Sequence, residues 1–227
     1  MVVSVALRVK WLGHACFQLL FKGRVLLIDP WISNPQSPIR LEDLSSVDYI
    51  AVTHDHHDHL GEAEVIAKRF NSMVIGVPEL VEKFEEAGVR GLALNIGSLV
   101  DVDGAFRVAL VPAVHTCSLG VPVGVVVDVD GTRLYHMGDT GYTVEFQAVK
   151  ELFNPDVVMI PIGGHYTMGP REAALALRAL KPKVAIPMHY ATFPVLVESP
   201  SSFVEEASRV TPEVKVLTLK PGEEVEL

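Results

Sequence analysis

The sequence predicts an α/β fold of four layers, in which two mixed β-sheets pack together between helical layers. Short apolar segments bounded by Gly, Pro and Asp predict strands in every third of the chain. Segments with helical periodicity alternate with strands in both halves, so helices can cover one face of each sheet. No repeat, low-complexity run or long linker interrupts residues 1–227, so we expect one domain.

The first third begins with a hairpin and continues with alternating strands and helices. Lys22-Gly23-Arg24 is a turn between two strands, and Asp29-Pro30 ends the second of them. Pro78 in a first helical turn and Gly88 beyond the last turn delimit the second helix. The predicted strands are residues 7–12, 16–21, 25–28, 47–52 and 73–77, and the predicted helices are residues 62–69 and 78–87.

The middle of the chain consists mainly of hairpins, and the last third alternates again. Turns at Asp103-Gly104 and Asp130-Gly131 separate the middle strands. The predicted strands are residues 99–102, 106–111, 123–129, 133–136, 157–162, 184–188 and 214–219, and the predicted helices are residues 142–152, 170–180 and 201–210. These elements indicate a second mixed sheet with its own helices.

The composition indicates a folded protein, and we expect it in the cytoplasm. Of its residues 49% are hydrophobic and 21% charged, which excludes disorder, and two cysteines cannot form a disulfide scaffold. The net charge of −9 argues against a broad surface for nucleic acid or anionic membrane. Arg8 and Lys10 interrupt the apolar start before it could form a signal core, and no apolar run has the roughly 18 residues of a membrane span. The sequence leaves open whether the protein forms a homo-oligomer.

The histidine content is the unusual feature, because four of the nine histidines lie in one loop. The segment Thr53-His54-Asp55-His56-His57-Asp58-His59-Leu60-Gly61 directly follows the strand predicted at residues 47–52. Imidazoles and carboxylates bind zinc, manganese, iron or nickel, and the lack of a nearby thiolate argues against a structural zinc site of the cysteine type. A solvated loop would instead use Ser, Gly and Lys. The loop therefore predicts a metal centre.

The pattern His54-x-His56-x-Asp58-His59 resembles the hallmark motif of the metallo-β-lactamase superfamily. The other marks of that superfamily follow early or later strands in the expected order: Asp29, His115, Asp139 and His189. Trp11-Leu12-Gly13-His14-Ala15 and the loop of residues 162–170 are more particularly similar to metal-dependent hydrolases that lie near the ascorbate-phosphate lactonases. The resemblance covers essentially the whole chain and implies the αβ/βα sandwich of the metallo-β-lactamase fold.

The resemblance implies a centre of two divalent transition-metal ions, with zinc favoured over manganese, iron and nickel. One ion would be bound by His54, His56 and His115, the other by Asp58, His59 and His189, and Asp139 would bridge the two. Three protein ligands for each ion leave a position open for water. The ions make the centre positive within an acidic chain, so we expect a small anionic molecule as the substrate.

The remaining candidates surround this centre. His14 and His165 lie on glycine-flanked turns, where they either line the site as oxyanion donors or metal contacts, or serve only as turn residues. The resemblance implies that Asp29 holds the histidine loop in place. His136 lies inside a strand and is predicted to be buried and to orient a ligand, whereas His57 occupies a spacer position of the motif.

Together these residues predict a metal-dependent hydrolase that uses metal-activated hydroxide on an ester-type bond, with a lactone or a phosphoester favoured. Asp58 and Asp139 would orient the hydroxide and shuttle its proton, and His14 or His165 would stabilise the oxyanion. The sequence contains no G-x-S-x-G, P-loop or G-x-G-x-x-G motif, so serine hydrolase, nucleotidase and dinucleotide functions lack support. Two alternatives stay open: a non-catalytic metal-binding or sensing module and, less favoured, a di-iron redox protein.

Overall fold

A computed structural model describes residues 6–227, and their strands form two sheets of seven strands each. The strands of the first sheet are β1 (Arg8–Trp11), β2 (Phe17–Phe21), β3 (Arg24–Ile28), β4 (Tyr49–Ala51), β5 (Met73–Gly76), β6 (Arg90–Ala93) and β14 (Glu224–Glu226). The strands of the second sheet are β7 (Val100–Asp101), β8 (Arg107–Pro112), β9 (Val123–Val129), β10 (Thr132–His136), β11 (Val157–Pro161), β12 (Val184–Met188) and β13 (Lys215–Val216). The helices are α1 (His57–Leu60), α2 (Ala63–Phe70), α3 (Pro78–Glu86), α4 (Glu145–Phe153), α5 (Pro170–Leu180) and α6 (Ser201–Val210).

Each sheet combines antiparallel and parallel pairs. The first sheet has the order β14-β1-β2-β3-β4-β5-β6, antiparallel as far as β3 and parallel from β3 to β6. The second has the order β13-β12-β11-β10-β9-β8-β7, antiparallel from β7 to β10 and parallel from β10 to β13. Most antiparallel pairs join strands that follow one another in the chain, whereas β1 and β14 lie more than 200 residues apart, and the parallel pairs are connected through loops and helices. The predicted fold class is confirmed.

Several strands in the middle of the two sheets are buried on both faces. Every residue of β4, β9 and β11 is buried, because helices cover the sides of the sheets that do not face each other. Asp128 is a charged residue inside β9, and the Nε of Arg133 donates a hydrogen bond to its carboxylate at 3.0 Å. Such strands appear in the sequence as continuous apolar runs, and the loops that follow them are held by a rigid core.

The structure corrects several predicted elements. It adds β6, β14 and α1, and it reduces the last predicted strand, residues 214–219, to Lys215–Val216. The helix predicted at residues 142–152 begins at Glu145 instead. Both added strands lie at the edges of the first sheet, where exposed and charged residues are tolerated and the apolar pattern is weak.

No helix within residues 6–227 is long and apolar enough to cross a membrane. Residues 1–5 of the predicted domain, and with them most of the apolar start of the chain, lie outside the described residues.

Gly61 ends α1 and fits closely against the loop that follows β3. Its φ is +45°, and a Cβ at this position would lie closer than 3.0 Å to the backbone of Pro30 and Trp31. Because backbone cannot yield as a side chain can, we expect Gly61→Ala to lower the free energy of unfolding by about 3 kcal/mol. Urea denaturation measures this loss.

Gly23→Ala is the matched control for that experiment. Gly23 also has a positive φ, +78°, but a Cβ there meets nothing within 4 Å. We expect a loss of about 1 kcal/mol, the cost of the left-handed conformation alone. Equal losses in the two variants would show that the contact between α1 and the β3 loop does not constrain the fold.

Candidate metal centre

Polar side chains gather where loops from both sheets meet. The first sheet contributes the turn after β1 and the loop after β4, and the second contributes the loops after β8, β10 and β12. The side chains that these loops bring together are His14, His54, His56, Asp58, His59, His115, Asp139 and His189. His56 and His115 are half-buried and the other six are buried, so the cluster is a cleft with one open side.

One group of ligand atoms is formed by three imidazoles. The Nδ1 atom of His56 lies 3.0 Å from Nε2 of His54 and 3.3 Å from Nε2 of His115. A tetrahedral zinc ion with bonds of about 2.0–2.1 Å needs ligand atoms about 3.3 Å apart. The spacing of these three nitrogens therefore fits one transition-metal ion.

A second group lies beside the first and contains a carboxylate. Oδ2 of Asp58 lies 3.0 Å from Nε2 of His14, 3.6 Å from Nε2 of His189 and 3.8 Å from Nε2 of His59. The ligand atoms of these four residues all lie within 4.8 Å of one another. This group also has the size and the donor types of a site for one divalent ion.

Asp139 lies between the two groups. Its Oδ1 is 3.2 Å from Nε2 of His59, and its Oδ2 is 3.1 Å from Nε2 of His189 and 3.5 Å from Nε2 of His115. His115 belongs to the first group, whereas His59 and His189 belong to the second. A single carboxylate thus reaches both groups, as a bridging ligand must.

Several of these polar atoms are buried without any hydrogen-bond partner among the described residues. They are Nε2 of His59, both ring nitrogens of His189 and Oδ1 of Asp139. Leaving buried polar groups unpaired costs about 1–3 kcal/mol each, so native proteins avoid it unless another partner satisfies them. Cations bound by these atoms would satisfy them, and the residues present therefore fit a metal centre.

Asp29 and Thr53 determine which nitrogens of two histidines face the cluster. Oδ2 of Asp29 accepts hydrogen bonds from Nδ1 of His59 and from the hydroxyl of Thr53, both at 2.7 Å. Because that hydroxyl hydrogen is used, the Thr53 oxygen accepts from Nδ1 of His54 at 3.0 Å. Both rings then carry their hydrogen on Nδ1 and present the lone pair of Nε2 to the cluster, as metal ligation requires.

The comparisons with known proteins identify the family of this chain. Residues 8–189 match the family model of the Beta-lactamase superfamily domain. A UPF0173 metal-dependent hydrolase of Korarchaeum cryptofilum is 46% identical over 222 residues, which cover 97% of this chain and 99% of the relative. Another, from Caldivirga maquilingensis, is 44% identical over 220 residues, which cover 96% and 97% of the two chains. The chain belongs to the UPF0173 metal-dependent hydrolase family.

A solved structure extends the comparison to three dimensions. Igni18, described as a novel metallo hydrolase from the archaeon Ignicoccus hospitalis, superposes with a TM-score of 0.93 at 36% identity, over 98% of each chain. The resemblance to the metallo-β-lactamase superfamily that the histidine motif indicated is therefore confirmed.

In this UPF0173 protein, His14 contacts Asp58 from the turn after β1. A carboxylate only accepts hydrogen bonds, so Nε2 of His14 donates to Asp58, and its Nδ1 accepts from the hydroxyl of Thr192 at 2.6 Å. Burial and the nearby His189 lower the pKa of His14 to about 3, so the ring is neutral at pH 7. His14 therefore lies within contact of a predicted metal ligand.

The two carboxylates of the UPF0173 site stay ionised although they are buried. Burial alone would raise the pKa of Asp139, but His189 and His59 hold it well below its usual range. The pKa of Asp58 is also lowered, against the effect of burial, by the hydrogen bond from His14 and by the nearby ring of His189. Conversely, Asp139 raises the pKa of His189 to about 9 although burial opposes this. Binding of a divalent cation would replace the protons on these rings.

His136 and His165, the other two predicted residues, lie in different surroundings. His136 is fully buried, and its Nε2 donates to the carbonyl of Ala15 at 2.8 Å while its Nδ1 accepts from the amide of Gly138 at 3.2 Å. These bonds fix the segment that carries Asp139. His165 is exposed with a left-handed φ of 54°, and its ring contacts Tyr166 at a centroid distance of 4.5 Å.

A cavity of about 360 Å³ opens beside the cluster of candidate ligand side chains. Tyr166 lines it, whereas His165 does not belong to its described lining. The sequence predicts no individual role for Thr53, Thr192, Tyr166 or Phe193. Thr53 lies next to the motif and Tyr166 lies in the loop of residues 162–170, and we expect residues 193–199 to carry specificity without a signature that names a substrate.

Proposed function

We propose that this UPF0173 protein is a hydrolase that cleaves an ester-type bond with two divalent transition-metal ions, zinc being favoured. The observation that carries the proposal is the pair of adjoining ligand groups that Asp139 connects, open to a cavity large enough for a small substrate. His54, His56 and His115 would hold one ion, and Asp58, His59 and His189 the other.

The ions would supply Lewis acidity and would lower the pKa of water toward neutrality. Asp139 and Asp58 supply ionised carboxylates on both sides of the centre, and we propose that they orient the attacking water and accept its proton. His14 keeps Asp58 in position through its 3.0 Å hydrogen bond. Its place beside Asp58 supports a role for His14 in the site, and a catalytic role for the exposed His165 stays a prediction.

A lactone or a phosphoester of a small anionic molecule is the substrate class that we propose from the positive metal centre. The open cavity favours a catalyst over a metal sensor, because a sensor needs no space for a substrate beside its ions. A cytoplasmic location and the absence of nucleic-acid and membrane partners stay predictions, and a homo-oligomer stays open.

Metal analysis tests the proposal. We expect the purified protein to contain close to two transition-metal ions per chain, to lose hydrolysis of simple lactones and phosphodiesters on chelation, and to regain it when zinc or manganese returns. His115→Ala and His189→Ala should each retain about one ion, since each variant loses a ligand of only one group. Full activity without metal would overturn the proposal, and iron with oxygen consumption would favour the di-iron redox alternative.

A further inference from the structure

The cavity beside the metal cluster has an aromatic side. Its described lining consists of His56, His57, Asp58, His115, Thr116, Asp139, Tyr166, His189 and Phe193. Most of the imidazoles and both carboxylates belong to the metal cluster, so the side chains left to contact the rest of a substrate are mainly Phe193, Tyr166 and His57. Phe193 is half-buried, and Tyr166 is 52% exposed.

Phe193 belongs to a stack of rings. Trp31 lies nearly parallel to it, with a centroid distance of 5.7 Å and an interplanar angle of 15°, and the ring of His14 lies nearly perpendicular to it at a centroid distance of 5.6 Å. The ring of His57 approaches both Trp31 and Phe193, at 5.6 and 6.1 Å. We call Trp31, His57 and Phe193 the aromatic wall.

The loop that carries Phe193 is fixed before any substrate arrives. The carbonyl of Phe193 accepts from the amide of Leu196 at 3.1 Å, and the amide of Ala191 donates to the carbonyl of Val197 at 2.9 Å. Thr192, the neighbour of Phe193, donates to His14. A wall held in this way needs little ordering when a ligand binds, which favours selection by shape.

The charges of the lining do not suit a phosphate group. None of the described lining residues is Lys or Arg, the side chains that usually recognise phosphate in proteins. The cavity therefore favours a substrate whose remaining part is uncharged.

We infer that this protein selects carboxylic esters or lactones with a flat, apolar ring next to the scissile bond, and that Phe193 positions this ring by stacking. The inference rests on the proposed hydrolase function. It narrows the substrate class from lactones or phosphoesters to aromatic lactones and esters, and it replaces the small anionic molecule by one that is uncharged beside the scissile bond. A planar ring gains on an aromatic face an offset stacking interaction that a puckered ring of equal size cannot make.

The test compares a flat with a saturated lactone of the same skeleton, phthalide and hexahydrophthalide, with phenyl phosphate as the charged alternative. On the two-metal enzyme, Phe193→Leu should lower kcat/KM for phthalide about 10-fold and for hexahydrophthalide less than about 2-fold. Phe193→Tyr, which keeps a flat ring, should restore phthalide turnover. Phe70→Leu, a half-buried phenylalanine at the end of α2 and away from the cavity lining, is the matched control and should change neither rate.

The outcomes separate this inference from the proposed function. Equal losses on both lactones, or a preference for phenyl phosphate, would overturn the inference while the hydrolase proposal stands.

If the two-metal enzyme hydrolyses none of the three compounds, the proposed function fails for these classes, and tryptophan fluorescence then tests the aromatic wall alone. Phthalide should quench the wild-type emission more strongly than hexahydrophthalide and should lose this advantage in Phe193→Leu, because Trp31 lies against Phe193. Equal quenching by the two lactones would contradict the proposed stacking of a flat ring on the aromatic wall.

Discussion

Asp139→Asn is expected to abolish hydrolysis while the chain stays folded. The two oxygens of Asp139 contact three histidines from both ligand groups, and an amide offers one oxygen and one donor that opposes a metal ion. We expect kcat to fall at least about 100-fold and the metal content to drop below two ions. The side chains have nearly the same shape, so the free energy of unfolding of the metal-free protein should fall by no more than about 2 kcal/mol.

Asp55→Asn is the matched control for this experiment. Asp55 lies in the same histidine loop, but its Oδ1 accepts the amide of Ser118 at 2.8 Å, a hydrogen bond that an asparagine oxygen can also accept. Steady-state kinetics, metal analysis and urea denaturation of the two variants distinguish a role at the centre from a general effect on the loop. Asp139→Asn with wild-type turnover and two ions would refute the bridging role.

Asp29→Asn is expected to weaken both the fold and the metal centre. Asp29 is completely buried and accepts from the Thr53 amide at 2.8 Å, the Thr53 hydroxyl and the His59 ring. His59 lowers the pKa of Asp29 although burial opposes this, so a charged pair lies in the core. Breaking it should lower the free energy of unfolding by about 3 kcal/mol. An amide that donates toward Nδ1 of His59 also favours the hydrogen on Nε2, where the ring can no longer bind a metal.

Competition with a chelator measures how much Asp29→Asn weakens metal binding, and we expect a loss of metal affinity of about 10–100-fold. Asp48→Asn is the control, since Asp48 also accepts a backbone amide, from Val25 at 2.8 Å, but its charged partner Arg24 is exposed. It should keep wild-type metal affinity. If Asp29→Asn binds metal as tightly as Asp48→Asn, the proposed control of the His59 ring by Asp29 is wrong.

The loops of the candidate ligands could be predicted from the sequence because the strands before them have recognisable signals, apolar runs for β4 and β12 and the Asp130-Gly131 turn before β10. The loop of His54 to His59 follows β4, Asp139 follows β10 and His189 follows β12, and most residues of these strands are buried. Where the pattern is weak, prediction failed: β6 contains a glycine and has half-exposed residues, and β14 consists of two glutamates and a valine. These edge strands form because a neighbouring strand offers free hydrogen-bonding groups. The local sequence contains no signal of this pairing.

The surroundings of the metal centre could not be predicted, because they depend on contacts between distant loops. Thr192 meets His14 across 178 positions of the sequence, and Phe193 meets Trp31 in the same region. Ala191, which turns this loop, has a φ of 58°, a left-handed conformation that alanine does not prefer. Local propensity would predict another path for the chain, and tertiary contacts override it.

The division of the candidate ligands between the two sheets would also make metal occupancy a term in the folding equilibrium. His54 and His56 follow a strand of one sheet and His115 follows a strand of the other, so an ion bound by all three binds only chains in which both halves are in place. By mass action, each ion present at 100 times its dissociation constant would add about 2.7 kcal/mol to the free energy of unfolding. Any cell condition that lowers free metal would then reduce the lifetime of the folded chain as well as its turnover.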